Sequence, residues 1–481
     1  MKVLLVSMPF EGDGIMTGDK YEVQENESYC LGLGYLHSYL ESKGHFVEIM
    51  ALNYAVSRYE TTETAILKVL GRILRQEMEC VGINTLTFNR AGSFALIESL
   101  HKNCPDVKIV MGGIHPTIMY DQILKKYPYI VIVRGEGEHT FAELLDEWNK
   151  PEPNVKNIRG LALYDNTVNS LNVILTQPRP LIPNLDDLPF PNHKYFHESI
   201  RRTVANMMSS RGCPNRCSFC CLNPTGGTSV RFRSVKNTVD EIEYIERTFP
   251  DVNTIQFCDD AFFTRPSRVI EICNEIVKRG IKLNFVCQAR AKPCTREMAL
   301  AMQKAGFVVV TLGMETGDPG VLKGTHKNFT LDDIVQAYKI FKGTGIRIVA
   351  YEIVGLPGET HDTIINTGKF VQKLQKMLYE YYPLSNLAMV FPGTVLSRNM
   401  VKAGIITDDY WLTDNRTPVY TVDHSLEELE RMQEDLMTWT SCDKLFTRKG
   451  FGKQWHMIPY IYWYKLCYFW IPRYITKKAV W

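Results

Sequence analysis

Short apolar runs alternate with stretches of helical apolar spacing through most of this chain. Val3 to Met8 is a continuous apolar run of strand length, Leu31 to Lys43 carries helical spacing and stops at Gly44, and Phe46 to Ala51 is apolar again. Cys80 to Leu86, Val107 to Met111 and Ile130 to Val133 repeat the strand signature, with helical patterns between them. Such alternation predicts an α/β unit over residues 1–150, a doubly wound parallel sheet with its ligand crevice at the carboxyl ends of the strands. Thr85 and Thr87 stand at the end of the third run, Gly112-Gly-Ile-His-Pro-Thr117 follows the fourth and Arg134-Gly-Glu-Gly-Glu138 the fifth. Small residues there let a backbone approach a bulky ligand closely. A glycine after a strand is also simply a turn.

Residues 151–200 break the pattern with Pro151, Pro153, Pro178, Pro180, Pro183, Pro189 and Pro191, and read as a linker or strap. From Thr203 the alternation resumes. Strands are predicted at Val204–Ser209, Thr254–Cys258, Leu283–Gln288, Val308–Gly313, Ile346–Val354 and Leu387–Phe391. Leu426 to Leu436 has helical spacing, and a tail dense in aromatic residues runs from Gln454 to Trp470.

With 481 residues the chain is too long for one core. Its 45% hydrophobic and 22% charged residues are ordinary for a folded domain protein. Fifty-five basic against 53 acidic residues leave a net charge of +2, which gives no electrostatic case for nucleic acid. The amino-terminal apolar run is too short for a signal peptide and reads as a buried strand.

The strongest chemical signal is Arg211-Gly-Cys-Pro-Asn-Arg-Cys-Ser-Phe-Cys220. Cys213, Cys217 and Cys220 supply three thiolates, one fewer than a four-iron cluster usually takes. A structural zinc site wants four closed ligands, and no second cysteine pair follows at zinc-ribbon spacing; Cys221 adjoins Cys220 and is poorly placed for the same tetrahedron. The 13 cysteines are odd in number, have no disulfide framework and lack a secretory signal, so a reducing, cytoplasmic setting is expected. The CxxxCxxC spacing, with an aromatic residue before the last cysteine, resembles the signature of the radical S-adenosylmethionine (radical SAM) enzymes. Together with the GGxHxT and GEGE loops it resembles the cobalamin-binding radical SAM family, methylase-like branch, over roughly residues 1–400.

The resemblance implies an N-terminal doubly wound, Rossmann-like cobalamin-binding domain (1–150), a linker (151–200), a radical SAM core folded as a partial (β/α) barrel (201–400) and a mostly helical C-terminal region (401–481). It implies a 4Fe–4S cluster on Cys213, Cys217 and Cys220, with SAM on the open iron. Cobalamin would lie against Thr85, Thr87, Gly112, Gly113, His115, Thr117, Gly135 and Glu136. The DxHxxG motif of several cobalamin mutases is absent, so base-off binding without a histidine ligand is expected; His115 and His45 are the tempting substitutes, and His45 reads as a surface residue. Asp259 and Asp260 stand at a strand end, either near SAM and substrate or as caps of the next helix. Arg290 and Glu315 are expected to bind SAM by charge-assisted hydrogen bonds, or to pair with each other at the rim. Gly355-Leu-Pro-Gly-Glu-Thr360 is expected to shape the adenosine pocket.

The implied reaction is methylation of an unactivated carbon of a natural-product or lipid substrate through a 5′-deoxyadenosyl radical and methylcobalamin. A flavodoxin or ferredoxin would donate electrons. Two alternatives stay open: a cyclisation, ring contraction or oxidation on the same cofactors, and a methylthiotransferase-like activity. The second is weakened by the absence of a second three-cysteine set and of a basic RNA-binding module. The aromatic tail, flanked by Arg473, Lys477 and Lys478, reads as a helix over the barrel mouth or as a peripheral membrane contact.

Overall fold

The computed structural model describes residues 1–9, 30–52, 61–165, 172–199, 203–222, 228–377 and 381–441. The aromatic tail therefore lies outside the described residues. Among those described, no helix is long and apolar enough to cross a membrane.

The first sheet is built from β1 (Lys2–Ser7), β2 (Phe46–Ala51), β3 (Cys80–Asn84), β4 (Lys108–Gly112), β5 (Val131–Val133), β6 (Leu161–Asp165) and β7 (Asn172–Leu175), in the spatial order 2-1-3-4-5-6-7. β1 to β5 are parallel. Apolar runs such as Val3 to Val6 are buried completely, as strands covered by helices on both faces require. Two separate apolar clusters, one on each face, seal the sheet. The chain leaves β1 toward β2 and returns to the other side for β3, which puts the topological switch point between β1 and β3.

Part of the predicted linker belongs to this sheet. β6 pairs antiparallel with β5, and β7 with β6. Prolines on either side masked two short strands, of which β6 is buried from Leu161 to Leu163 while β7 is the half-exposed edge of the sheet. The remainder is a strap: His193 lies against Glu241 at 2.7 Å, and Glu241 also pairs with Arg233, a buried triad that pins the strap to the helix Val235–Thr248.

The second sheet is all parallel and follows chain order: β8 (Val204–Met207), β11 (Thr254–Phe257), β12 (Asn284–Ala289), β13 (Phe307–Glu315), β14 (Arg347–Val354) and β15 (Tyr381–Leu387). Between β8 and β11 lies a two-stranded ribbon, β9 (Ser210–Arg211) with β10 (Arg231–Phe232). Helices after each long strand pack on its outer face, and Phe257, Phe285, Phe307 and Tyr338 stand in that core. This is an open, partial (β/α) barrel. Its last strand starts at Tyr381 rather than at the predicted Leu387; the stretch from Ala388 instead joins the cluster on the first sheet.

Residues after the barrel couple its two neighbours. Ile406, Trp411 and Tyr420 are buried in the first-domain cluster, and the fully buried Arg90 donates to the Asn415 carbonyl and to the Thr417 hydroxyl. The helix Leu426–Ser441 then packs beside the helix His361–Met377 on the outside of β15.

Candidate functional site

The three predicted cysteines lie at the carboxyl end of β8, where barrel chemistry resides. The segment entering their loop is tied down one residue at a time. Asp259 accepts from the Ser209 N–H at 3.0 Å, from the Ser209 hydroxyl at 2.7 Å and from the Ser210 hydroxyl. Asp260 accepts from the Gly212 N–H at 3.0 Å. Gly212 has φ +96, and a Cβ there would stand 2.3 Å from the Ser229 carbonyl oxygen, so glycine is obligatory before Cys213. Further along, Ser218 donates its N–H to Thr325 and accepts from Val395, each at 3.0 Å. Cys213, Cys217 and Cys220 are each partly exposed at the mouth of the barrel. Burial pushes the Cys217 and Cys220 thiols up to about 11, while Lys327 and Arg290 pull Cys217 back. Among the described residues no three such groups converge on a single metal ion. Thiolates spaced round the edges of a multi-iron cluster have no need to.

The paired aspartates are thus a backbone clamp. Asp259 is buried and fully engaged by serines, which leaves it nothing to offer a cofactor, and burial raises its carboxyl. The following helix starts at Pro266 with Arg265 as an uncapped lead, so neither aspartate caps it.

Arg290, just past β12, is half-buried over the Phe329 ring at 5.4 Å, and its Nε and one terminal nitrogen have no hydrogen-bond partner. Its electrostatic neighbours are Cys217, Cys213 and Glu315. Leaving two buried guanidinium nitrogens without a partner is costly, so this side chain is preorganised for an anion beside the cysteines and fits the SAM carboxylate. Glu315 does not pair with it. Lys327 donates to the Glu315 carboxylate and, at 2.6 Å, to the Gly313 carbonyl. Glu315 sits at a β-bulge with φ +69, which turns it toward that lysine. Lys327 was not legible beforehand: it comes from a loop after a short helix and carries no motif.

The Gly355 turn is present, with φ +91, but a Cβ there would meet Leu429 at 2.8 Å. Close approach of the helix Leu426–Ser441 explains this glycine. Glu359 closes the turn by accepting from the Gly355 N–H at 2.6 Å, and burial pushes its carboxyl up to about 7. The unfolded group titrates near 4.3 (roughly), so the folded protein binds more protons between the two values and loses stability as pH rises through that window. Glu359→Gln is expected to gain on the native protein by up to about 3 kcal/mol from pH ~5 to pH ~8, as read by denaturant unfolding at each pH.

At the switch point of the first sheet lies a cavity of about 270 Å³, bordered by Leu5, Gly82, Asn84, Gly112, Gly113 and Gly135 among others. A Cβ at Gly82 would meet Phe141 at 2.8 Å and Leu5 at 3.0 Å. The glycine-lined, mostly apolar slot between sheet and helices fits a flat heterocycle such as the nucleotide tail of cobalamin. Met208 and Arg211 border the same cavity from the barrel side.

Of the predicted crevice residues, Gly112, Gly113, Gly135 and Glu136 line this cavity. Thr117 joins the two loops, donating to the Gly113 carbonyl at 2.7 Å and accepting from the Gly135 N–H at 3.1 Å. Thr85 is buried and its N–H donates to the Gly112 carbonyl at 2.8 Å. His115 is not at the cavity. It is buried in the first turn of the helix Ile114–Lys126, its Nδ1 is 3.2 Å from the Thr87 hydroxyl, and burial with Arg90 pushes its pKa down to about 3. It is a neutral packing residue, and Thr87 is its partner. His45 is buried as well, 3.5 Å from Asp146, rather than on the surface.

Fold and site together define an enzyme with a cobalamin crevice set against a radical SAM barrel. The chain matches the B12 binding domain over residues 23–145 and the radical SAM superfamily over residues 207–371. The chain thus carries both a B12-binding and a radical SAM domain, and the cofactors that go with them are a 4Fe–4S cluster, SAM and cobalamin. An uncharacterized methyltransferase of Pyrococcus horikoshii is 29% identical over 85% of each chain. The anaerobic magnesium-protoporphyrin IX monomethyl ester cyclase of Rubrivivax gelatinosus is 28% identical over 75% of this chain, which spans only 64% of the cyclase. The cobalamin-dependent S-adenosylmethionine radical enzyme OxsB, solved with aqua-cobalamin and SAM, shares the fold with a TM-score of 0.72 at 19% identity, over 91% of this chain and 66% of its own.

Proposed function

We propose that this protein is a cobalamin-dependent radical SAM methyltransferase that methylates an unactivated carbon of a small natural-product or lipid substrate, with a flavodoxin or ferredoxin as electron donor. The observation that carries the reading is the cavity bordered both by first-domain glycines and by Met208 and Arg211, the residues that lead into the cysteine loop. Two cofactor sites that share a wall suit a reaction in which hydrogen removal and methyl delivery happen at one carbon. When bound, the cluster with SAM supplies radical-forming cleavage, and cobalamin supplies a transferable methyl group. Cys213, Cys217 and Cys220 hold the cluster, and Arg290 holds the SAM carboxylate. Gly112, Gly113 and Gly135 bring backbone against cobalamin. Asp259 and Asp260 keep the cysteine loop in place.

The test is anaerobic incubation of the reconstituted protein with SAM and reductant, with and without cobalamin, followed by mass-spectrometric quantification of S-adenosylhomocysteine and 5′-deoxyadenosine. Cobalamin-dependent S-adenosylhomocysteine alongside 5′-deoxyadenosine is the expected result. The likeness to the cyclase favours a second reading, radical cyclisation without methyl transfer. Bound cobalamin with 5′-deoxyadenosine as the only product would select it.

A further inference from the structure

The strands β9 and β10 place Arg211 directly opposite Arg231. Like charges facing each other across an antiparallel pair repel, and each of these side chains is only 14% exposed. The ribbon therefore needs anions, and the first domain delivers them. Glu136 accepts from Arg211 at 3.1 Å and from Arg231 at 2.8 and 2.9 Å; Glu138 accepts from Arg211 at 2.7 Å. Glu136 further accepts from the Ile182 N–H at 2.8 Å, and Arg231 donates to the Ile182 carbonyl at 2.6 Å, so the strap is locked into the same knot.

Arg211 has two attachments that matter. Its guanidinium lies 5.0 Å over the ring of Tyr35, and Tyr35, Glu136, Glu138 and Arg211 all border the cavity. Along the chain it is followed by Gly212, clamped by Asp260, and then by Cys213. A single side chain thus stands in the crevice wall and at the entrance of the cysteine loop. Removing one partner of a buried pair leaves the other charged and unpaired, so these four residues hold or fail together.

We propose that Arg211, gripped by Glu136 and Glu138, is a positioning residue that fixes the separation and orientation of the cobalamin crevice relative to the cluster loop. The proposal rests on the methyltransferase reading only for its kinetic consequence. Lysine is no substitute, because only the guanidinium fork reaches both carboxylates in defined geometry.

The experiment uses the full chain, reconstituted with cluster and cobalamin, as native protein, as Arg211→Gln, as Glu138→Gln and as the charge-exchanged double variant Arg211→Glu with Glu138→Arg. Iron content and cobalamin uptake establish loading. Electron paramagnetic resonance of samples holding cob(II)alamin and the reduced cluster then reads their magnetic interaction, which depends on separation and orientation. Arg211→Gln is expected to load both cofactors to within about twofold, to weaken and spread that interaction, and to lower cobalamin-dependent S-adenosylhomocysteine by about 100-fold, the usual scale for misplacement near 1 Å. The double variant recovers part of both signals, and Glu138→Gln gives a smaller change in the same direction, which keeps the test decisive if Arg211→Gln does not fold. An unchanged magnetic interaction in a fully loaded variant overturns the proposal. So does a loss of loading in which the loaded fraction works like native protein, because the network would then only support folding. If native protein yields no S-adenosylhomocysteine, the methyltransferase reading fails while the magnetic readout still decides this one.

Discussion

Cys213→Ala, Cys217→Ala and Cys220→Ala are each expected to abolish the iron–sulfur cluster and, with it, all formation of 5′-deoxyadenosine from SAM. With only three cysteines in the motif there is no spare ligand, and two remaining thiolates hold no four-iron cluster. The neighbouring cysteines test whether position or mere sulfur content matters. Cys221 adjoins the last ligand, and Cys258 lies beyond β11 with its thiol pushed up to about 12 by burial. Cys221→Ala and Cys258→Ser are expected to keep the iron content and the 5′-deoxyadenosine yield of the native protein. Iron and sulfide analysis with absorbance near the cluster band checks all five variants. A cluster that survives in any of the first three would show that another residue ligates iron. The fold argues against that replacement, because Gly212, Asp259, Asp260 and Thr325 hold the loop from its entrance to its middle and leave it little slack.

Legibility followed the physics of each feature. β1 to β5 could be read almost to the residue because a parallel strand covered on both faces is a solid apolar run, and the phase change to helical spacing marks its end. β6 and β7 could not, since their neighbours are prolines and their partners are chosen by tertiary pairing. The cysteine spacing was legible because a cluster imposes it on contiguous residues. The environment of Glu315 was not: its partner Lys327 stands twelve positions away on a loop whose path depends on the bulge at Glu315 itself. His115 shows the opposite failure. Its motif drew attention to the crevice, yet a helix begins at Ile114 and carries the imidazole into the core, against Phe94 and Thr87. Asp259 and Glu136 read from sequence only as acidic residues near strand ends; the partners of Asp259 are the Ser209 N–H and the Ser209 and Ser210 hydroxyls, and those of Glu136 are two arginines and the Ile182 N–H, which no local pattern announces. Arg211 adjoins the cysteine motif, and nothing in the sequence around it marks Glu136 and Glu138, more than seventy positions away, as its partners.

Gly32→Trp is expected to weaken cobalamin binding by at least about 100-fold, ~2.7 kcal/mol, while leaving the fold and the cluster intact. Gly32 lies in the first turn of the helix Leu31–Ser42 and borders the cavity at the switch point. Nothing among the described residues comes within 4 Å of a Cβ built there, and the backbone is ordinary helix, so the Cβ is added without clash or backbone strain. An indole is of the size that a cavity of about 270 Å³ accepts, and it competes for the space a flat heterocycle would need. Replacing glycine within a helix also relieves the unfolded-state entropy that glycine adds, so the melting temperature should stay level or rise slightly. Filling the slot from Gly82 would be a poorer experiment, because a side chain there collides with Phe141 and Leu5 and would unsettle the sheet for reasons unrelated to ligand. Titration of cob(II)alamin into the apo protein, followed by absorbance, measures the affinity. Iron content and cobalamin-independent 5′-deoxyadenosine should match the native protein, since Asp259, Asp260 and the barrel loops clamp the cysteine loop directly, and the contact of the Gly32 helix with Arg211 is made by Tyr35, which the substitution leaves in place. Native affinity in Gly32→Trp would mean that cobalamin does not enter this slot, and the crevice would have to be sought elsewhere on the sheet's carboxyl edge.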